Sequence, residues 1–154
     1  MSRLSYYSRI KQYTMKLNIT LFLFFIAVVC QAQNDEVRLE LATMVEVDQV
    51  VASNSKPPQE YSGFTKAEWL SFKDSIFRSH KTKLEQILNE YGYPGYDMVG
   101  EIGEFHFWLL TQHCDFDPGF QKRVLDSMKI NVQRQNASAL NFAYLTDRYQ
   151  LNIG

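Results

Sequence analysis

Residues 65–91 read "TKAEWLSFKDSIFRSHKTKLEQILNEY", and the spacing of their apolar positions decides the fold class. Trp69, Phe72, Ile76, His80, Leu84, Ile87 and Tyr91 recur every three or four residues. That recurrence is one face of a long helix, because side chains three and four apart stack on the same side of a 3.6-residue turn. The ends are marked as well. Thr65 and Glu68 have the spacing of a capping box, in which each side chain takes the backbone N–H that the other leaves without a helical partner. Gly92 suits the left-handed position that closes a helix, and Pro94 forbids its continuation.

The same period extends outward. Residues 35–52 carry Val37, Leu41, Met44 or Val45, Asp48 and Val51 at helical spacing. A polar loop with two prolines, "SNSKPPQEYSGF", separates this stretch from the long helix. Residues 98–113 predict a third helix. It is apolar on most sides (Met98, Val99, Ile102, Phe105, Phe107, Trp108, Leu109, Leu110), which is the pattern of a buried, central element. Asp117-Pro118 starts a fourth, with aspartate at the N-cap and proline at the first helical position. Its inward residues are Phe120, Val124, Leu125 and Met128. A fifth spans about 137–149, with Leu140, Phe142, Ala143, Tyr144 and Leu145. No stretch alternates with period two, and there is no internal repeat. The expected fold is all-α: a compact single-domain bundle of about five helices over residues 33–154.

The front of the chain predicts export. "MKLNITLFLFFIAVVCQAQ", from Met15, combines Lys16, an apolar run from Ile19 to Cys30, and small residues before a cut after Ala32. That is the layout of a secretory signal over residues 1–32, and its apolar run is short of the roughly 20 residues a bilayer span needs. Met15 is a candidate true start. Lipidation at Cys30 is disfavoured by the branched Val29 just before it. The expected location is periplasmic or secreted, with no stable membrane span after cleavage.

Removing the leader uncovers an acidic protein. The whole chain is near neutral at −1. All 17 acidic residues lie beyond position 32, whereas Arg3, Arg9, Lys11 and Lys16 precede it, which leaves 12 basic residues and a net of −5. Such a surface repels phosphate backbones, so nucleic acid is not an expected partner. Of the two cysteines only Cys114 remains, so no internal disulfide is available and the apolar core must hold the fold. Cys114 itself reads as a small buried residue rather than a nucleophile. Asn136-Ala137-Ser138 matches a glycosylation sequon, which has meaning only in a eukaryotic secretory pathway.

The polar residues of "LLTQHCDFDPGFQ" (109–121) carry the candidate chemistry. His113 sits where the third helix ends. A helix C-terminus favours a cation or donor there, which is sufficient as a structural explanation. The functional alternative is a general base near neutral pH, oriented by Asp115 or Asp147. A metal cluster of His113, Asp115 and Asp117 is disfavoured, since Asp117 is explained by its cap and His106 lies about 10 Å away along the helix. No metal or cofactor is expected. Asp147 and Arg148 are helix neighbours and cannot face each other, so Arg148 needs a tertiary partner or a small anionic ligand. Asp115 is the expected partner, pinning the fifth helix to the 113–117 junction.

Taken in order, "YGYPGYDMVGE", "LLTQHCDFDPGFQ" and "FAYLTDR" resemble domain-of-unknown-function family 6624, a bacterial group with no established reaction. The resemblance spans roughly residues 40 to 154. It rests on Gly92-Tyr93-Pro94, on Gln112, His113 and Asp115, and on Asp147-Arg148; Asp48-Gln49 matches an acidic-amide pair in the first helix. It implies that Gln112, His113, Asp115, Asp147 and Arg148 lie close together. Gln112, Gln121, Asp48 and Gln49 are the binding candidates. Two departures stand out. Cys114 occupies a position that is usually small in the family. The family pattern also continues past the Asp-Arg pair into a Tyr-Gly-Thr-Gln tail, whereas this sequence stops at Gly154; a pocket closed by that tail would be incomplete here. The expected function is a small helical binding or structural module. The alternative is a hydrolase-like enzyme using His113, Asp115, Asp147 and Arg148.

Overall fold

A computed structural model describes residues 34–154; the expected signal segment 1–32, the Met15 start and Cys30 lie outside the described residues. The starts of three helices and the end of α2 follow from local causes. Helix α1 covers residues 34–53. A single turn of 3-10 helix, Gln59–Tyr61, follows in the proline-rich loop. Helix α2, Lys66–Tyr91, opens on the expected capping box: Thr65 Oγ1 accepts from the Glu68 N–H at 3.3 Å, and Glu68 Oε2 accepts from the Thr65 N–H at 2.7 Å. It closes at Gly92, whose φ of 77° is the left-handed conformation glycine adopts without strain. Helix α4, Pro118–Gln133, starts on Asp117, whose carboxylate accepts from the Phe120 N–H at 2.9 Å. Helix α5, Ala139–Ile153, starts on Ser138, which accepts from the Asn141 N–H at 3.2 Å.

Helix α3, Tyr96–Gln112, begins earlier than its apolar pattern indicates. Its N-terminus is capped from outside. The Asn136 carbonyl accepts from the Tyr96 N–H at 3.0 Å, and Asn136 Oδ1 accepts from the Asp97 N–H at 2.9 Å. Asn136, read in sequence only as part of a sequon, thus ties the α4–α5 loop to the start of α3. The approach is close enough to require Gly95: a Cβ there would lie 2.5 Å from the Asn136 carbonyl oxygen and would also meet its Nδ2. Gly100, at φ 72°, breaks α3 after its first turn.

Among the described residues there is no strand, and the molecule is an all-α bundle of five helices with Val37–Gly154 as one unit. The core forms around Leu41 of α1, Leu84 of α2, Phe107 and Leu110 of α3, Phe120, Val124 and Met128 of α4, and Leu145 of α5. Trp69 is fully buried under Tyr61, Phe64 and Phe72, and its indole N–H donates to the Asn54 carbonyl at 3.1 Å. Two expectations need correction. Helix α3 is not buried on most sides, since Ile102 is 71% exposed and Phe105 43%. In α5 only Leu145 is buried, whereas Leu140 and Tyr144 face solvent. Consecutive helical residues point about 100° apart, so a run such as 142–145 cannot all face inward. Among the described residues no helix is long and apolar enough to cross a membrane.

Candidate functional site

Asp48 lies on the apolar stripe of α1 and has no solvent exposure. A carboxylate there pays a large desolvation cost unless partners replace its water. They do. His113, at the C-terminal end of α3, places Nδ1 2.8 Å from Oδ2 and 3.0 Å from Oδ1. Gln49 Nε2 donates to Oδ2 at 3.1 Å. His80, on the apolar stripe of α2, brings Nδ1 to 3.6 Å from Oδ1, an ion-pair distance rather than a hydrogen bond, and that nitrogen has no other partner. Burial by itself raises the Asp48 carboxyl, but the His113 hydrogen bond, seconded by His80, outweighs it and holds Asp48 below the ordinary carboxylate range. Asp48 is therefore ionised, and an ionised carboxylate only accepts. The proton on the neutral His113 ring then sits on Nδ1, and Nε2 keeps its lone pair. No hydrogen bond from the described residues reaches that Nε2, and the His113 side chain is 22% exposed. Phe77 packs against the imidazole at 5.2 Å between centroids.

A second cluster sits at the same corner. Asp115 receives both arms of a fork from Arg148 on α5: Nε to Oδ1 at 2.8 Å and Nη2 to Oδ2 at 2.6 Å. The tertiary pair expected from sequence is present, and it is bidentate. Gln121, fully buried on α4, donates to Asp115 Oδ1 and to the Thr111 carbonyl, both at 3.2 Å. Asn152 Nδ2 donates to the Asp115 carbonyl at 2.6 Å. Burial raises the Asp115 carboxyl, but Arg148 and Gln121 more than offset it, and its net shift is downward. Asp115 also lies within electrostatic reach of His113, so the two clusters are neighbours.

The other singled-out residues fall in different places. The carboxylate that orients His113 is Asp48, not Asp115 or Asp147. Asp115 is committed to Arg148. Asp147 is exposed and makes no hydrogen bond or ion pair among the described residues, because it follows Leu145 by two positions and so faces away from the core. Gln112 is buried, and its Nε2 has no partner among the described residues. Asp117 caps α4 and pairs with Lys81 at 3.0 Å. Among the described residues no group of three His, Cys, Asp or Glu side chains is arranged to hold a metal ion. Cys114 is buried, and burial pushes its thiol up to about 12, which leaves it protonated and inert.

In the sequence His80 is one position of an apolar stripe. The signal was nonetheless there: a histidine on the stripe of α2 and an aspartate on the stripe of α1 both need a partner once the stripes face each other.

Fold and site together define a small all-α domain with a buried carboxylate seated against a part-exposed imidazole. Comparison with family models, with curated proteins and with solved structures returns no match.

Proposed function

We propose that the protein is a small exported helical module that binds a polar ligand at the 113–117 corner, with Nε2 of His113 as the contact. One observation carries the reading: a fully buried Asp48 spends its charge on Nδ1 of a part-exposed histidine. As a stability device this is poor, because an apolar side chain of similar volume would serve the core as well or better. As a way to fix the tautomer and aim of an imidazole, it is what a site requires. The Asp115–Arg148 pair supports a structural role beside it, pinning α5 to the end of α3. Two of the five guanidinium donors are committed there, so an incoming anion meets the remainder. The resemblance to family 6624 agrees with placing the site at this corner, and the acidic surface of the mature chain argues for a ligand that is not a nucleic acid.

A hydrolase-like activity is the second reading, favoured by the same Asp48–His113 hydrogen bond. In it His113 takes a proton from water at Nε2 and Asp48 stabilises the imidazolium that results. The buried Cys114 thiol is inert, so in this reading water is the nucleophile. One set of measurements separates the two. Amide resonances of residues 112–117 and 148 are followed while acetate, inorganic phosphate and small amides are added to wild type and to His113→Gln. Hydrolysis of p-nitrophenyl acetate is followed in the same proteins and in Asp48→Asn. Shifts at this corner that vanish in His113→Gln support the binding module. Ester hydrolysis faster than that of free imidazole, and lost in both variants, supports the hydrolase. Neither effect in wild type rejects both.

A further inference from the structure

Helix α5 carries a second stripe, and the described residues leave it open. Leu140, Tyr144, Asp147 and Leu151 are spaced by four, three and four residues, the period of a seam between two helices. The stripe lies about 130° around the helix from Leu145, the residue that α5 buries. Leu140 is 63% exposed, Tyr144 56% and Leu151 85%. Asp147 is exposed too and has no hydrogen bond or ion pair among the described residues. On one flank, Trp108 of α3 donates its indole N–H to the Asn141 carbonyl at 2.8 Å and packs against Phe105 at 5.4 Å between centroids. The exposed Ile102 and Phe105 of α3 thereby extend the apolar surface sideways.

Leu140, Tyr144, Leu151, Ile102 and Phe105 together leave open roughly 500 Å² of mainly apolar surface, toward the upper end of what a single soluble domain shows. Two such surfaces laid together bury about 1,000 Å², the size at which a specific interface begins. Whatever covers the face must also satisfy Asp147, because a carboxylate taken out of water requires a donor. A second copy supplies one in a single orientation. In an antiparallel pair centred between Tyr144 and Asp147, each Leu140 meets Leu151 of the partner subunit. Each Asp147 then meets the hydroxyl of the partner subunit's Tyr144, a short charge-assisted hydrogen bond. Such a surface is its own complement, as a two-fold interface has to be. A parallel pair sets Asp147 against its own copy, and the two carboxylates repel. The two-fold axis of the antiparallel pair stands normal to the plane of the two helices. Both α3 helices therefore fall on the same side of the seam, where Ile102 and Phe105 widen it.

We propose that the protein pairs with a second copy of itself through an antiparallel α5 seam, held by Leu140 against Leu151 and by the Tyr144 hydroxyl donating to Asp147. The pairing is independent of the role proposed for His113. It leaves the Arg148 fork on Asp115 in place, because Arg148 sits about 70° around the helix from the stripe.

Sedimentation velocity across micromolar concentrations of the protein should show a monomer–dimer equilibrium. Leu140→Glu and Leu151→Lys each bring an unpaired charge to both ends of the seam and should weaken pairing about tenfold or more. Both positions are exposed in the single copy, and the new charges suit the two ends of α5. At concentrations where wild type is monomeric, each variant should therefore melt as wild type does. A variant that melts early is replaced by the same exchange with signs reversed, Leu140→Lys and Leu151→Glu. Mixing the two variants decides the orientation. Only the antiparallel seam sets the new carboxylate at position 140 beside the new ammonium at position 151 at one end and leaves leucine on leucine at the other. The mixed dimer should then form more tightly than either variant pairs with itself. Tyr144→Phe leaves Asp147 without its donor and should weaken pairing about threefold or more. A monomer at every concentration hands the face to another kind of partner and overturns the proposal. Dimers that both leucine variants leave intact, or variants that pair no better mixed than alone, overturn it as well.

Discussion

Asp48 is a carboxylate with no solvent exposure. Its neighbours on the α1 stripe are Leu41, Met44 and Val51, all buried, and the chain accepts a charge among them only because two imidazoles and an amide surround it. Truncation to alanine leaves a cavity, His113 without its acceptor and His80 without its facing carboxylate. Asp48→Ala is expected to cost about 3 kcal/mol in urea unfolding at pH 7. A loss below about 1 kcal/mol would mean that the carboxylate is far better solvated than its burial indicates. Cys114 supplies an independent check on the same corner. With its thiol held up by burial, it should resist iodoacetamide at pH 8 in the folded protein and react at once in urea. Rapid labelling of the native state would show that the end of α3 opens to solvent.

At the scale of the elements, contacts between loops and helix ends matter as much as the apolar stripes. The start of α3 depends on Asn136 and on the absence of a side chain at Gly95. Gly95→Ala is expected to lower stability by roughly 2 kcal/mol, because backbone has to move away from the new methyl group. Thermal melting of that variant beside Asn136→Ala tests whether the two act on one joint: the double variant should lose less than the two single losses added together. Arg148→Ala removes the fork on Asp115 at a part-exposed site and should cost about 1 kcal/mol. The same scale separates what is legible in the sequence from what is not. The capping box of α2, the Asp117-Pro118 start of α4 and the inward faces of α1 and α4 are local patterns, and their apolar positions are the buried ones. The Asn136 bridge, the break at Gly100 and the outward-facing Leu140 and Tyr144 depend on which helix lies alongside, and periodicity within one helix carries no such information. The candidate site divides the same way. Arg148 without a helical partner pointed to Asp115, whereas the separation of 65 positions between Asp48 and His113 hid the more deeply buried pair.

Across the whole molecule the carboxylates set the response to acid. Asp48, Asp115, Asp117 and Glu85 are all shifted downward in the folded protein. Burial raises the three aspartates, but His113 and His80, Arg148 and Gln121, and the Phe120 N–H and Lys81 outweigh it in turn, while Lys81 and Arg123 lower Glu85. A carboxylate bound more weakly by protons when folded stabilises the fold above its unfolded value near 4, and that contribution is lost as pH falls through the lower folded value. The four act in the same direction, so urea midpoints should drop steeply between about pH 4 and pH 2. The share due to Asp48 can be isolated. Asp48→Asn has no proton to take up at that position, so it should start less stable at neutral pH and lose stability less steeply on acidification, the two curves converging near pH 2. Parallel curves would mean that the Asp48 carboxyl takes up protons alike in the folded and the unfolded chain. The His113 hydrogen bond would then favour neither form of the carboxyl, and the fixed orientation of the imidazole, on which its proposed role depends, would lose its support.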